Sequence, residues 1–259
     1  MTLWAAHRGT AKHYVIGDSL EAIAQLWRAI VVQPQKTAKR YEEIWNGQRP
    51  GDTGYFNRIR DRYNAGRDPV DLLYLICRCV KNAVRFNKNG AFTQSVDKRR
   101  LGMRPNKMTS AIQGASLVLK GRVEIVSGDW LDTVSCATGH DFIYMDPPYL
   151  GTSIGRDKRY AHQMELQRLI EGLRALRRRN LRFALSYDGM TGTKNYGPPL
   201  PEDLEMTRLL LHAGKSSQAT LNGRDEETVE SLYLSPGLAK PRNGIIRRPS
   251  KDVQESLVF

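Results

Sequence analysis

Phe142-Ile143-Tyr144-Met145-Asp146-Pro147-Pro148-Tyr149 is the stretch on which the reading of this chain turns. Four apolar residues that stop at Asp-Pro-Pro read as a buried strand emptying into a rigid loop. In open α/β sheets, ligands collect at the carboxyl ends of strands. An acid, two conformationally fixed carbonyls and an aromatic ring therefore stand where chemistry is usually done. That set suits an amino group carried on a planar ring. Asp146 can accept one of its hydrogens, the Pro147 carbonyl another, and Tyr149 can stack on the ring. The prolines hold the acceptors still, so they need not reorient during reaction. The same residues are also an ordinary way to end a strand and open a turn, and the rest of the chain has to separate the two readings.

Working outward, the pattern is α/β. His13 to Ser19 reads as a short strand ending in Asp18, with Asp18 or Ser19 able to cap the amphipathic helix that follows from Leu20 to Ile30. Residues 34–66, rich in Gly, Pro, Asn and Arg, read as loops with one short helix, Thr37 to Trp45. Asp68-Pro69 opens a helix through Val80. Arg85 to Gly90 is turn chemistry, and residues 97–107 read as a basic loop. Val123 to Val126 reads as a strand ending at Gly128-Asp129-Trp130. Met164 to Arg179 reads as a helix with Arg177-Arg178-Arg179 at its favourable end. Arg182 to Tyr187 and Val229 to Leu234 read as further strands, and 239–251 as a basic tail. Three strand ends thus carry acids: Asp18, Asp129 and Asp146. In a doubly wound sheet that pattern suits a nucleoside-bearing cofactor, one carboxylate taking ribose hydroxyls and another an adenine amino group.

Composition narrows the class. The 259 residues carry a net charge of +13, and residues 36–107 hold 17 Lys or Arg against 7 Asp or Glu, so most of the excess is local. Tyr41, Trp45, Tyr55, Phe56, Tyr63, Phe86 and Phe92 are interleaved with it, the footprint of a surface for a phosphate backbone. Three cysteines, Cys77, Cys79 and Cys136, give neither a disulfide framework nor a metal-ligand cluster. No apolar stretch is long enough to span a bilayer and no signal peptide opens the chain, so a cytoplasmic protein with reduced thiols is expected.

In this order of blocks the chain resembles the DNA adenine-N6 methyltransferases of the Dam-like class, which use S-adenosylmethionine. Gly17-Asp18-Ser19-Leu20 and the helix to Trp27 look like the ribose-binding acid and its helix. Tyr74-Leu75 through Asn82 to Phe92 looks like the target-recognition segment. Gly128-Asp129-Trp130 looks like the adenine-contacting acid, Asp146-Pro147-Pro148-Tyr149 is the family's catalytic motif, and Ser186-Tyr187-Asp188-Gly189 resembles the strand that follows. The resemblance implies a Rossmann-like S-adenosylmethionine methyltransferase sheet with an inserted, mostly helical target-recognition domain. The corresponding division is 1–33 and 119–238 for the methyltransferase domain, 34–118 for target recognition, and 239–259 for a basic tail. It implies that Asp146, Pro147, Pro148 and Tyr149 are catalytic. Asp18, Ser19, Asp129, Trp130 and Asp146 would hold the cofactor. Arg85, Asn87, Lys88, Asn89, Lys98, Arg99 and Arg100 would contact double-stranded DNA, and no metal is called for.

One departure from the family is large. Its members open with a Trp/Lys/Gly segment and a strand ending in a Phe-x-Gly-x-Gly loop, and neither is found here. Thr2 to Arg8 reads like the helix that follows that loop. The first strand of the sheet is therefore expected to be missing. A second protein subunit supplying it is favoured over a truncated or degenerate relative and over a diverged binding mode. The remaining motifs are complete, and a sheet without that strand would expose an apolar edge. The rival readings are a catalytically silent DNA-recognition subunit of a modification or restriction assembly, a cytosine-N4 or RNA methyltransferase, and, more weakly, a metal-dependent nuclease.

Overall fold

Helices dominate the first half of the chain because its apolar residues recur every three or four positions and several helix starts carry an Asp cap or a first-turn proline. The computed structural model describes residues 1–50, 52–147, 166–191, 194–215, 227–238 and 245–247. The chain divides into two units at Ser135/Cys136. The first contains α1 (Thr2–His7), β1 (Tyr14–Asp18), α2 (Glu21–Val32), α3 (Pro34–Asn46), α4 (Thr53–Gly66), α5 (Pro69–Arg78), α6 (Pro105–Leu119), β2 (Val123–Ser127) and α7 (Trp130–Thr133). The second contains β3 (Phe142–Met145), α8 (Leu166–Arg178), β4 (Arg182–Thr191), β5 (Lys194–Tyr196), β6 (Thr207–Lys215), β7 (Glu227–Leu234) and β8 (Ile245–Arg247).

In the first unit, residues 34–66 form two helices rather than loops with one short helix. Pro34 sits in the first turn of α3, where its missing N–H costs nothing. The Asp52 side chain accepts the Tyr55 N–H at the start of α4. The apolar positions are sparse but correctly spaced: Ala38, Tyr41 and Ile44 on α3, and Phe56, Ile59 and Tyr63 on α4, are all buried. They pack with Leu72, Leu73 and Leu75 of α5 and Met108 and Ile112 of α6 into one core. Asp68 caps α5 through the Val70 N–H, with Pro69 next, as the sequence indicates. Helix α6 begins at Pro105, inside the stretch that reads as a basic loop. A smaller cluster of Ala6, Tyr14, Val31 and Leu119 joins α1 and α2 to the parallel pair β1–β2.

The second unit is built on a mixed sheet of order β3-β4-β7-β6-β8, with β5 hairpinned onto β4. β3 and β4 are parallel, and β7 runs antiparallel between β4 and β6. Three strands depart from the sequence expectation: β5, β6, and β8, which lies in the stretch that reads as a tail and pairs in parallel with β6. Strand β3 also differs from the expectation of a buried strand. Among the described residues it pairs only with β4, and as an edge it leaves Phe142 56% and Tyr144 38% exposed. Leu169, Ile170, Leu173 and Leu176 form the buried face of α8. No helix among the described residues is long and apolar enough to cross a membrane.

Candidate active site

The acids read from the sequence fall at carboxyl ends of parallel strands, Asp18 and Asp129 in the first unit and Asp146 in the second. β1 and β2 are neighbours in register, Asp18 opposite Ser127, so Asp18 and Asp129 lie at the same end of one strand pair. The Gly128 N–H donates to the Asp18 carbonyl at 3.1 Å and ties the two ends together. Asp18 does not cap α2. Its Oδ1 accepts the Leu20 N–H at 2.8 Å, a local turn in which the carboxylate is held by its own backbone. Partial burial raises the Asp18 pKa above the ordinary carboxylate range, against the lowering effect of that hydrogen bond.

Asp129 caps the single turn α7 by accepting the Leu131 N–H at 2.9 Å. Trp130 follows, and its buried indole Nε1 has no hydrogen-bond partner among the described residues. Ser19 is exposed. Gly17 has a specific role in this arrangement. A Cβ there would meet the Thr133 side chain of α7 at 2.5 Å, so only glycine lets α7, with Asp129 at its start, lie this close to β1. Two acids at one end of a parallel pair and an unpartnered indole N–H are chemically suited to a nucleoside: acceptors for hydroxyl or amino hydrogens and a donor for a ring nitrogen or oxygen.

In the second unit, Asp146 and Pro147 directly follow β3. Pro148 and Tyr149 lie outside the described residues. Asp146 is exposed, yet its pKa is raised, first by partial desolvation and then by the charge of Glu230 on β7. Tyr144, one position before Met145, has its phenol pushed up by burial and by the Asp146 charge. Gly189 explains the local shape of β4. A Cβ there would lie 2.6 Å from the Val229 carbonyl oxygen, and the β4–β7 register shifts between Ser186 and Gly189. At that bulge Asp188 is buried, accepting from Arg208 at 2.9 Å and from the Tyr233 hydroxyl at 3.1 Å. Glu230, and Arg208 and Tyr233 around Asp188, carry no signal in the sequence, since partners on β6 and β7 are set by sheet register.

The DNA-contact candidates all belong to the first unit. Phe86 and Phe92 bridge as an antiparallel pair, forming a small hairpin whose tip holds Asn87, Lys88 and Asn89, all exposed. Asn87 is the turn former: its Oδ1 accepts the N–H groups of Asn89 and Ala91, each at 2.9 Å. Asn64 pins the hairpin by donating to the Phe92 carbonyl and accepting its N–H. Arg85 is half-buried at the hairpin base, and Lys98, Arg99 and Arg100 are exposed on the loop before α6. No group of three or more His, Cys, Asp or Glu suited to a metal occurs among the described residues.

The strand pair bearing two acids, the Asp-Pro strand end and the exposed cations of the hairpin and of the loop before α6 fit a nucleic-acid-modifying enzyme. The family model for D12 class N6 adenine-specific DNA methyltransferases matches residues 1–221, and the chain belongs to that family. It is also 26% identical over 192 residues to the modification methylase StsI of Streptococcus sanguinis, a match covering 68% of this chain. The matched segment spans 28% of that relative's length.

Proposed function

We propose that this chain methylates the N6 amino group of adenine at specific sites in double-stranded DNA, with S-adenosylmethionine as donor. We also propose that it does so as the catalytic and recognition subunit of a two-chain enzyme with a Rossmann-like sheet. The observation that carries the reading is Asp146-Pro147 standing directly after parallel strand β3 in a chain of this family.

The target adenine is rotated out of the duplex, at a cost of a few kcal/mol. Asp146 and the Pro147 carbonyl accept the two amino hydrogens, and Tyr149 stacks on the ring. Those acceptors favour a pyramidal nitrogen whose lone pair is free for attack. S-adenosylmethionine supplies an electrophilic methyl group when bound. Asp18 and Ser19 are assigned to its ribose, and Asp129 and Trp130 to its adenine. Asp146 need not be a strong base, because the amino nitrogen becomes acidic only once it carries the new methyl group. Positioning and fixed electrostatics supply most of the acceleration.

Support for the second subunit comes from strand pairing. β1 pairs only with β2, and β3 only with β4, among the described residues. Among the described residues β1, β2 and β3 thus each have a single parallel neighbour and one open edge, and an open strand edge is normally paired, covered or blunted. The test of the chemistry is Asp146→Ala, read as transfer of labelled methyl groups to DNA. A loss of several orders of magnitude is expected, and activity within a few-fold of wild type would sink the assignment. Tight S-adenosylmethionine binding by the isolated chain would overturn the two-chain reading without touching the first.

A further inference from the structure

We infer that the loop from Asp97 to Arg104 is a pre-ordered clamp for the DNA phosphate backbone, and that Gln48, which belongs to no motif, is its positioning residue. The inference rests on the reading of this chain as a DNA-binding enzyme.

The loop carries four cations in eight residues, Lys98, Arg99, Arg100 and Arg104, against one acid, Asp97. Such a loop would be expected to be mobile, since like charges repel. Here its backbone is fastened to the helical core at successive points. Asp97 is 4% exposed. Its N–H donates to the Arg78 carbonyl at 2.9 Å, and the buried Arg78 guanidinium donates to the Asp97 carbonyl. The Leu101 carbonyl accepts from Gln48 Nε2 at 3.1 Å, and the Met103 carbonyl accepts from the Tyr41 hydroxyl at 2.7 Å. Gly102 lies between those two tethers at φ +83°, where a Cβ would stand 3.2 Å from the Cys77 carbonyl oxygen. Gln48 is the hub. Its Oε1 accepts from both the Tyr74 hydroxyl and Arg78 Nε, each at 3.1 Å, so its amide is oriented to donate to the loop.

The fastening also sorts the cations. Arg100 is turned inward on Asp97, with its Nε 2.8 Å from Oδ2, and the Arg99 N–H takes the other carboxylate oxygen at 2.9 Å. The Asp97 carboxyl is accordingly held below the usual range, first by the Arg99 N–H and then by Arg100. The Arg99 Nε lies 3.7 Å from Asp97 Oδ1, yet its side chain stays 79% exposed, and Lys98 and Arg104 are exposed with it. Arg104 immediately precedes α6 and Lys107 stands in its first turn, with no acid there. A helix disfavours cations at that end, so these charges cost the fold stability rather than supply it. A tethered loop that keeps Lys98, Arg99 and Arg104 exposed around a single acid is preorganised for an anionic polymer, because the ordering cost is met before binding.

The test is titration of the full chain, with its partner subunit if one is required for binding, onto a labelled duplex over a range of salt concentrations. Lys98→Ala/Arg99→Ala/Arg104→Ala, all surface changes, are expected to lower the salt slope by about 0.9 for each phosphate no longer neutralised, about 2.7 in all. Gln48→Glu keeps the acceptor for Tyr74 and Arg78 but removes the donor to Leu101. It is expected to weaken binding about fivefold, the worth of one hydrogen bond, at an unchanged salt slope. Gly102→Ala loosens the loop by a second route and is expected to do the same. An unaltered slope in the triple variant overturns the clamp, and wild-type affinity in both Gln48→Glu and Gly102→Ala overturns the positioning role. If the wild-type chain shows no salt-dependent duplex binding at all, the underlying functional reading falls with it, so the failures are distinguishable.

Discussion

Replacing Gly17 by Ala tests whether the spacing of Asp18 and Asp129 is set by one absent side chain. A Cβ at residue 17 would lie 2.5 Å from Thr133 Cγ2, 2.7 Å from Oγ1 and 3.1 Å from Cβ. Carbon atoms sit at about 3.5–4 Å in good contact, so roughly 1 Å must be opened. Both γ atoms of Thr133 flank the position, so turning χ1 exchanges one clash for another, and relief requires α7 to move. Overpacking of this kind costs about 1–3 kcal/mol. Gly17 is outside the left-handed region, since its φ is not positive, so Ala also gains roughly 0.4–1 kcal/mol by restricting the unfolded chain. The net expectation is a loss of about 1–2 kcal/mol in urea unfolding. Thr133→Ala alone loses the hydrogen bond from its hydroxyl to the Asp129 carbonyl, at 3.1 Å, worth about 0.5–1 kcal/mol. The double variant still brings two Cβ atoms to about 3.1 Å, so rescue is partial, with a coupling of about 1 kcal/mol in favour of the pair. S-adenosylmethionine affinity should fall more in Gly17→Ala than in Thr133→Ala, because only the former displaces α7. Gly17→Ala within about 0.5 kcal/mol of wild type, with strictly additive double-variant behaviour, would refute the reasoning.

Two further outcomes follow from the charges. Asp71 is fully buried and accepts from Arg62 Nε at 2.7 Å and from its terminal nitrogen at 2.5 Å, yet the Arg62 side chain is 45% exposed. Asp71→Asn should therefore cost nearer the 1.5–3 kcal/mol, roughly, of charged hydrogen bonds than the larger figure for stranding a buried ion, measured by chemical denaturation. Glu230→Gln removes a like charge from the surroundings of Asp146, which favours its ionised form, so the Asp146 pKa falls. The acid limb of the methyl-transfer pH profile should shift to lower pH, and a shift upward or no shift would exclude Asp146 as the group that sets it.

How much of the molecule is legible in the sequence depends on whether the signal is local. Asp68-Pro69 announces α5 because a cap and a first-turn proline are neighbours of the helix they start. Asp18, Asp129 and Asp146 are legible because each ends an apolar run. Residues 34–66 read as loops because Gly47 and Pro50 are real breakers between two helices and Gly54 stands in the first turn of the second, while the buried stripe of α3 is only Pro34, Thr37, Ala38, Tyr41 and Ile44 among charged residues. Strand β6 escapes notice because His212 and Gly214 interrupt the run Leu209-Leu210-Leu211, and its place is fixed by pairing with β7 across a register shift. Gln48 is invisible for the same kind of reason. Its partners, Tyr74, Arg78 and Leu101, lie 26 to 53 residues away, and nothing about an isolated glutamine in a polar loop points to them.

The two ends of the sheet in the second unit bear differently on the proposed partner. At one end, among the described residues, stands β8, which is three residues long, and short edge strands are one way natural sheets blunt their edges. At the other, β3 is Phe-Ile-Tyr-Met, with no charge, no proline within it, and no register shift against β4. Phe142 and Tyr144 on it are large and partly exposed, and it leads directly into Asp146. An unprotected apolar edge is a hazard that selection removes unless something regularly covers it. In the first unit β1 repeats the pattern: one parallel neighbour among the described residues, Val15 39% exposed, and Asp18 at its end. Among the described residues, β1 ends in Asp18 and β3 is followed by Asp146, acids proposed for the site, and each strand has a single parallel neighbour. A strand that covered either edge would also fix the position of the acid that follows it. The proposed partner would then be a requirement of the chemistry as well as of solubility, and adding it should raise methyl-donor affinity and the hydrogen-exchange protection of β1 and β3 together.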